Sequence, residues 1–400
     1  MVIVTRDFWS DAGVANAARE IASELVKLGV ELVTIIHADS VTSTSAELRP
    51  RIAPEAIHEG NDLLMRLPQL ANYILSKRAA RILRSMQKKL VSDCIVHCHN
   101  LFPSAFLGNE LEKGRTVFVT TIHGTIRGEL ERFCREKPVY PRELLYRVAT
   151  YGHSLSLVRP YLKRSKSHFI ALSAFDANEI MRQNLPASRI HIIPNGVDLE
   201  FFKPYDSHEA RRRLELPEDK SLVVTIGAIE PRKGLHVLIR AAGAILRDFP
   251  EAFFVVVGAP RERRSWYLSY LVKLLNKYDL KSHFRFTGFV PKKDLPLYMS
   301  AADLFTLTSY AEGAPLVIPS AMACGCPIVA TEGAAAGYLP RQLTVDNGDH
   351  NELARRISFY LLNSKERISM GKEMRKKALN ELSWAKIAKR TYDLYERITA

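Results

Sequence analysis

Residues 306–331, TLTSYAEGAPLVIPSAMACGCPIVAT, begin in an apolar strand that starts at Leu304, pass through a short polar loop holding Glu312 and Gly313, and enter a helix just after Pro315. Proline pre-sets the backbone angle of a first helical turn and gives up an N–H that the turn would leave unpaired; glycine accepts the left-handed cap. The spacing therefore predicts a helix from Pro315 to Gly325, with a second strand at residues 327–330. Strand, loop, helix and strand put the loop and the free amides of Leu316 and Val317 at the carboxyl edge of a parallel sheet. Anions bind there because unpaired N–H groups and the positive end of the helix dipole converge. A carboxylate in that loop would repel a phosphate unless it faces hydroxyl groups. Glu312 thus points to a ligand with a diphosphate end and a sugar end.

Upstream, the alternation of strands and helices predicts a doubly wound α/β half. A strand at 222–226 leads into the loop GAIEPRKG (227–234), then a helix at 235–247 and strands at 253–257 and 284–287. Lys233 stands just before a helix N-terminus in a loop that begins at Gly227 and ends at Gly234, where its ammonium can neutralise a phosphate. Arg232 is its neighbour. The turn-rich PNGVD (194–198) marks a domain boundary, giving an N-terminal domain at 1–194 and a C-terminal domain at 195–383.

The N-terminal half opens with strand, loop and helix (2–5, 6–13, 14–28), and Gly13 would let a phosphate approach the backbone. No G-x-G-x-x-G follows the strand, which argues against a dinucleotide oxidoreductase. Strands at 94–98 and 116–121 end in His99-Asn100 and His123-Gly124, both expected at the carboxyl edge where open α/β sheets bind ligands. His123 should emerge at the crevice. Ser173 can cap a helix running to about residue 184.

The chain has 400 residues, a formal net charge of +14 and five cysteines. Its length predicts two cores. The absence of an 18-residue apolar run or a leader pattern predicts a cytoplasmic protein. Few, odd-numbered cysteines argue against structural disulfides. Cys94 and Cys98 flank His97 but would lie about 13 Å apart along a strand with His97 on the other face, so no metal site is expected. The positive charge asks for an acidic partner. Residues 75–90 carry an apolar stripe (Leu75, Ala79, Ile82, Met86, Leu90) beside a basic one (Lys77, Arg81, Arg84, Lys88). That pattern is either a solvated face or a docking face for anionic lipid on the inner membrane surface. Aromatic residues are not interleaved with the stripe, which argues against nucleic acid.

Taken together, the AGVA turn, IVHCHN, TTIHG, IIPNGVDLEFFKP, the G-x6-G loop with Lys233, VVVGAP, RFTGFVPKKDLPLYMSAADLFTLTS, AEGAPLV and SAMACGCPIVAT resemble a family 4 glycosyltransferase of the GT-B class. LSWAKIAKRTYDLYE resembles the family's last helix, which returns to the N-terminal domain (384–400). The resemblance implies two Rossmann-like domains with parallel sheets facing across a cleft. It implies a retaining, metal-independent hexosyl-type transfer from a nucleotide-sugar donor to a lipid-linked or glycan hydroxyl, with no cofactor beyond that donor. No Asp-x-Asp is present to ligate a metal. By position, Lys233 and the amides of Leu316 and Val317 would hold the diphosphate, with Gly13 approaching it from the first domain. Glu312 would hold donor-sugar hydroxyls and His123 would reach the transferred sugar, with Gly227, Arg232 and Gly313 lining the donor.

Three positions depart from the family pattern. Ala228 stands where an arginine is usual, and Arg232 is the available substitute. Ser320 replaces the glutamate associated with the ribose, and Pro315 replaces a glycine, removing an amide. The alternative these departures raise is a catalytically weakened or inactive GT-B protein acting as a binding or scaffolding partner.

Overall fold

The first sheet is wholly parallel, and its strand order fixes where its loops converge. The computed structural model describes residues 1–4, 13–31, 34–36, 57–58, 94–99, 116–123, 167–182, 185–260, 265–310 and 312–400. The basic 75–90 segment, the 125–165 stretch and the loop before Gly13 lie outside these residues. Among the described residues the strands are β1 (Val2–Val4), β2 (Thr34–Ile36), β3 (Ile57–His58), β4 (Cys94–His99), β5 (Thr116–Ile122), β6 (His168–Ala171) and β7 (Ile190–Ile192). They pair in the order β3-β2-β1-β4-β5-β6-β7. The order reverses between β1 and β4. Open α/β sheets bind ligands at such points. Val96, Cys98, Phe118, Val119 and Ile122 are fully buried or nearly so, as expected for strands covered on both faces.

The helix Gly13–Lys27 buries Ala15, Ala18, Ile21, Ala22 and Leu25. It packs on the last helix, Trp384–Thr399, which buries Ile387, Ala388, Thr391, Leu394 and Tyr395 at helical spacing. Arg390 of that helix donates to the Ile192 carbonyl at the end of β7 (2.8 Å). The helix after β6 (Ala174–Met181) is capped by Ser173, whose hydroxyl accepts the Asp176 amide. It stops at Met181, short of the expected 184.

The second sheet contains β8 (Ser221–Ile226), β9 (Ala252–Val257), β10 (Phe284–Gly288), β11 (Leu304–Leu307), β12 (Ile328–Thr331) and β13 (Thr344–Val345). They are all parallel, in the order β10-β9-β8-β11-β12-β13. Leu222, Val223, Val224, Phe254, Val255, Leu304, Phe305 and Ile328 form its buried centre. Here the order reverses between β8 and β11, so the loops after these two strands are neighbours. The compact units are the described residues up to Gly196 with Trp384–Ala400, and Val197–Ser383.

The helix expected just after Pro315 starts two residues later. Leu316 is its N-cap and Val317–Ala323 its body. Pro315 lies outside it, its carbonyl accepting the Ile318 amide. The far end is as expected, with Gly325 in the left-handed region at φ +70°. Among the described residues no helix is long and apolar enough to cross a membrane.

Candidate active site

At the end of β8 the chain has to leave the sheet and start a helix within eight residues. Gly227 donates to the Val257 carbonyl (2.9 Å) and Ile229 to that of Ala259 (3.0 Å), which keeps the loop against β9. Pro231–Lys233 then forms one tight turn, closed by the Lys233 amide on the Glu230 carbonyl (2.9 Å). Gly234 takes φ +65° and begins the helix Leu235–Asp248. A Cβ at Gly234 would collide with the Thr308 carbonyl, so backbone conformation and close packing both require glycine there.

The loop after β11 is fastened directly to this one. The Thr308 hydroxyl donates to the Lys233 carbonyl (2.9 Å) and the Tyr310 amide to the Arg232 carbonyl (2.9 Å). The Glu312 amide donates to the Gly333 carbonyl (2.8 Å). Asn347 ties that region down, accepting from the Gly333 amide (2.8 Å) and donating to the Tyr310 carbonyl (3.0 Å).

These restraints bring together side chains 79 and 80 residues apart. Lys233 Nζ lies 2.5 Å from Glu312 Oε1, and Arg232 Nη1 lies 2.9 Å from Glu312 Oε2. Arg232 Nη2 is also 2.8 Å from Glu230 Oε1. Glu312 and Glu230 are almost inaccessible, with side chains 9% and 3% exposed; Lys233 and Arg232 are 14% and 26% exposed. Burial pushes the Glu312 carboxyl up, but Lys233 and then Arg232 outweigh it and hold the group at about 2. Burial opposes the charge on Arg232, and Glu312 and Glu230 raise its value above the ordinary one.

Two cations and two carboxylates therefore balance at the topological switch point. Within the chain the partners of the Glu312 carboxylate are these cations. The physical reason is that a buried carboxylate without a counter-charge costs several kcal/mol. Glu230 was missed by sequence reasoning, although it is the one acid in an otherwise cationic loop.

The remaining candidates divide between the two units. Gly227 lies against the Lys233 stem, with its would-be Cβ 3.5 Å from Lys233 Cε. Gly313 follows Glu312 and is half-buried. Leu316 and Val317 start their short helix as described. Ser320 is 4% exposed and its hydroxyl donates to the Leu316 carbonyl (2.8 Å).

Gly13 and His123 belong to the first unit. Gly13 is the first helical residue, with open space where a Cβ would stand. His123 follows β5, its Nε2 lying 3.0 Å from Nδ1 of His99 at the end of β4. His97 is not free for a metal, since its ring nitrogens lie 2.6 Å from the Tyr395 hydroxyl and 2.7 Å from Thr121 Oγ1.

Two parallel, doubly wound units with these strand orders constitute the GT-B class of fold. Residues 12–201 match the family described as Glycosyltransferase Family 4, and residues 206–377 that described as Glycosyl transferases group 1. Both matches are to glycosyltransferase families, and the fold agrees with them. A D-inositol 3-phosphate glycosyltransferase of Frankia alni is 28% identical over 338 residues, covering 82% of this chain and 79% of that one. The Salinispora tropica protein of the same description is 30% identical over 246 residues, covering 58% of this chain and only 51% of its own length. Among solved structures, sucrose-phosphate synthase from Thermosynechococcus elongatus superposes with a TM-score of 0.77 at 20% identity, over 99% of this chain and 98% of that one. Anabaena HepE in complex with UDP gives 0.76 at 17% identity, over 99% of each chain.

Proposed function

We propose that this protein is a retaining, metal-independent glycosyltransferase that moves a sugar from a nucleoside-diphosphate donor to a lipid-linked or glycan hydroxyl. The observation that carries the reading is the Lys233–Glu312 pair, held at 2.5 Å with Arg232 beside it where the loops of β8 and β11 meet. A sugar diphosphate supplies what this pair is built to separate. Its phosphates take Lys233 from the carboxylate, and its hydroxyls take Glu312. The amides of Leu316 and Val317 cap the same diphosphate; in the first unit, Gly13 leaves a helix N-terminus open to a phosphate. His123 meets the transferred sugar, while Ser320 lies towards the ribose.

Cations and amides fixed in place stabilise the charge that grows on the departing diphosphate. Glu312 lies near the face where the sugar becomes positive. The leaving phosphate oxygen takes the acceptor proton on that same face, so no separate protein base is required. HepE has been solved with UDP and with UDP-glucose, which supports a nucleotide-sugar donor for a protein of this fold. The test is mass-spectrometric transfer from a panel of nucleotide sugars, comparing wild type with Glu312→Ala. Equal product from both proteins removes Glu312 from the mechanism.

A second reading, a GT-B protein that binds or scaffolds without catalysis, is favoured by Ser320. Its proton is committed to the Leu316 carbonyl, and the position lacks the family's carboxylate. Ala228 likewise leaves the loop one cation short. Calorimetry with UDP, GDP and ADP separates the two, since silence across the panel favours the scaffold. For the 75–90 segment we propose contact with anionic lipid at the inner membrane face; identical pelleting with neutral and anionic liposomes discards it.

A further inference from the structure

Three histidines at the carboxyl edge of the first sheet form one connected group. In the parallel pairing of β4 and β5, His97 lies opposite Val119 and His99 opposite Thr121. His97 and His99 are two residues apart, so both project from the same face. Their rings stack at 4.7 Å with an interplanar angle of 21°, and His99 stacks on His123 at 5.3 Å and 27°. His97 and His99 are 0% and 1% exposed. Burial lowers all three, to about 3 for His97, well below the ordinary range for His99 and to about 4 for His123. At neutral pH each ring therefore carries one proton, and its location matters.

His97 is gripped on both edges, by Thr121 Oγ1 on one side and by the hydroxyl of Tyr395 on the other. Tyr395 comes from the last helix and is itself 3% exposed. Among the described residues His99 has a partner on one nitrogen only. Its Nδ1 faces His123 Nε2, while its Nε2 is buried and has no hydrogen-bond partner. A proton on Nε2 would leave a buried N–H donor unmatched. A proton on Nδ1 leaves only a lone pair unmatched, the cheaper of the two defects, because orphaned buried N–H groups are the rarer kind.

We infer that His99 carries its proton on Nδ1 and donates a hydrogen bond from there to Nε2 of His123, fixing His123 as the Nδ1–H tautomer, with His97 and Tyr395 holding the stack in place. His99 and Tyr395 are then positioning residues for His123. With its Nε2 lone pair occupied, His123 offers the site an N–H donor from Nδ1 and does not serve as a base through Nε2. Such a group binds a sugar hydroxyl or phosphate oxygen and leaves proton removal to the departing phosphate. The tautomer is a property of the first unit by itself; its bearing on transfer rests on the function proposed above.

Long-range proton–nitrogen NMR of the full chain labelled with 15N-histidine reads the tautomer directly, with His123→Gln identifying the His123 signals. The expected spectrum has Nδ1 of both His99 and His123 protonated and Nε2 of both unprotonated. His123 protonated on Nε2 in the wild type overturns the inference, whether or not transfer is ever detected. His99→Phe keeps a stacking ring and removes the donor. It should release His123 into a mixture of tautomers and lower kcat by about tenfold or more at little-changed donor KM, the mark of misplacement rather than lost binding. Tyr395→Phe should show a smaller drop of the same kind. An unaltered His123 spectrum in folded His99→Phe also overturns it.

Discussion

Glu312→Gln should tighten nucleotide binding while it abolishes transfer. Glutamine keeps the shape of the side chain but removes the charge that occupies Lys233 and Arg232. The carboxyl of Glu312 is held at about 2 against an ordinary 4.5. At 1.36 kcal/mol per pH unit, that gap of about 2.5 corresponds to about 3 kcal/mol of net favourable interaction for the ionised form. Two cations share it, so the portion belonging to Lys233 is about 1.5 kcal/mol. A diphosphate that recruits Lys233 has to displace this interaction, and without the carboxylate charge its affinity should rise about tenfold. Calorimetry at pH 7 with UDP, GDP and ADP measures the change, with circular dichroism confirming the fold. The same variant should lose transfer by about a hundredfold or more, because Glu312 acts on the charge developing in the sugar. Unchanged or weaker binding of every nucleotide that the wild type binds, by a folded variant, would refute the claim that carboxylate and diphosphate compete for the same cations.

Other outcomes follow from the same geometry. Because Glu312 titrates lower when folded, its contribution to stability is present above about pH 4.5 and is lost as the pH falls towards about 2. The stability gap between wild type and Glu312→Gln should narrow by about 2 kcal/mol between pH 7 and about pH 3 in denaturant titrations. Arg211 is 8% exposed and bonds the carbonyls of Ala301, Glu218 and Lys220 as well as Asp303, so Arg211→Met should destabilise the Val197–Ser383 unit by about 2–4 kcal/mol, read by thermal unfolding. Gly234→Ala should separate the loops of β8 and β11 by pushing on the Thr308 carbonyl, and nucleotide affinity in the folded protein should fall at least tenfold.

What could be read from the sequence was what short-range pattern encodes. Apolar runs bounded by glycine, proline and histidine located most of the longer strands within a residue or two, since a buried parallel strand has to be almost wholly apolar; the two-residue β3 and β13 carry no such run. Gly325 and Ser173 were legible as caps because each acts on its immediate neighbours. Pro315 was misplaced by two residues: a proline at a helix entrance fixes its own φ but not which later residue starts the hydrogen-bonded turn. Longer-range partners left no mark. Nothing around His97 announces Tyr395, 298 positions away, and only the packing of the last helix brings them together. Likewise nothing in the loop 227–234 announces that Arg232 and Lys233 pair with Glu312, 80 and 79 positions away. The bond from the Ser320 hydroxyl to the Leu316 carbonyl one turn back was equally unmarked.

The first unit is discontinuous in the chain. Its strands and first helix are made early, but the helix that packs on Gly13–Lys27 and reaches His97 is made only after all of Val197–Ser383. On the ribosome the second unit, although synthesised later, can finish folding first. The first unit must wait with its Ala15–Leu25 face uncovered, a period in which a chaperone has apolar surface to hold. Segment order along the polypeptide thus reverses the order in which the two units reach completion.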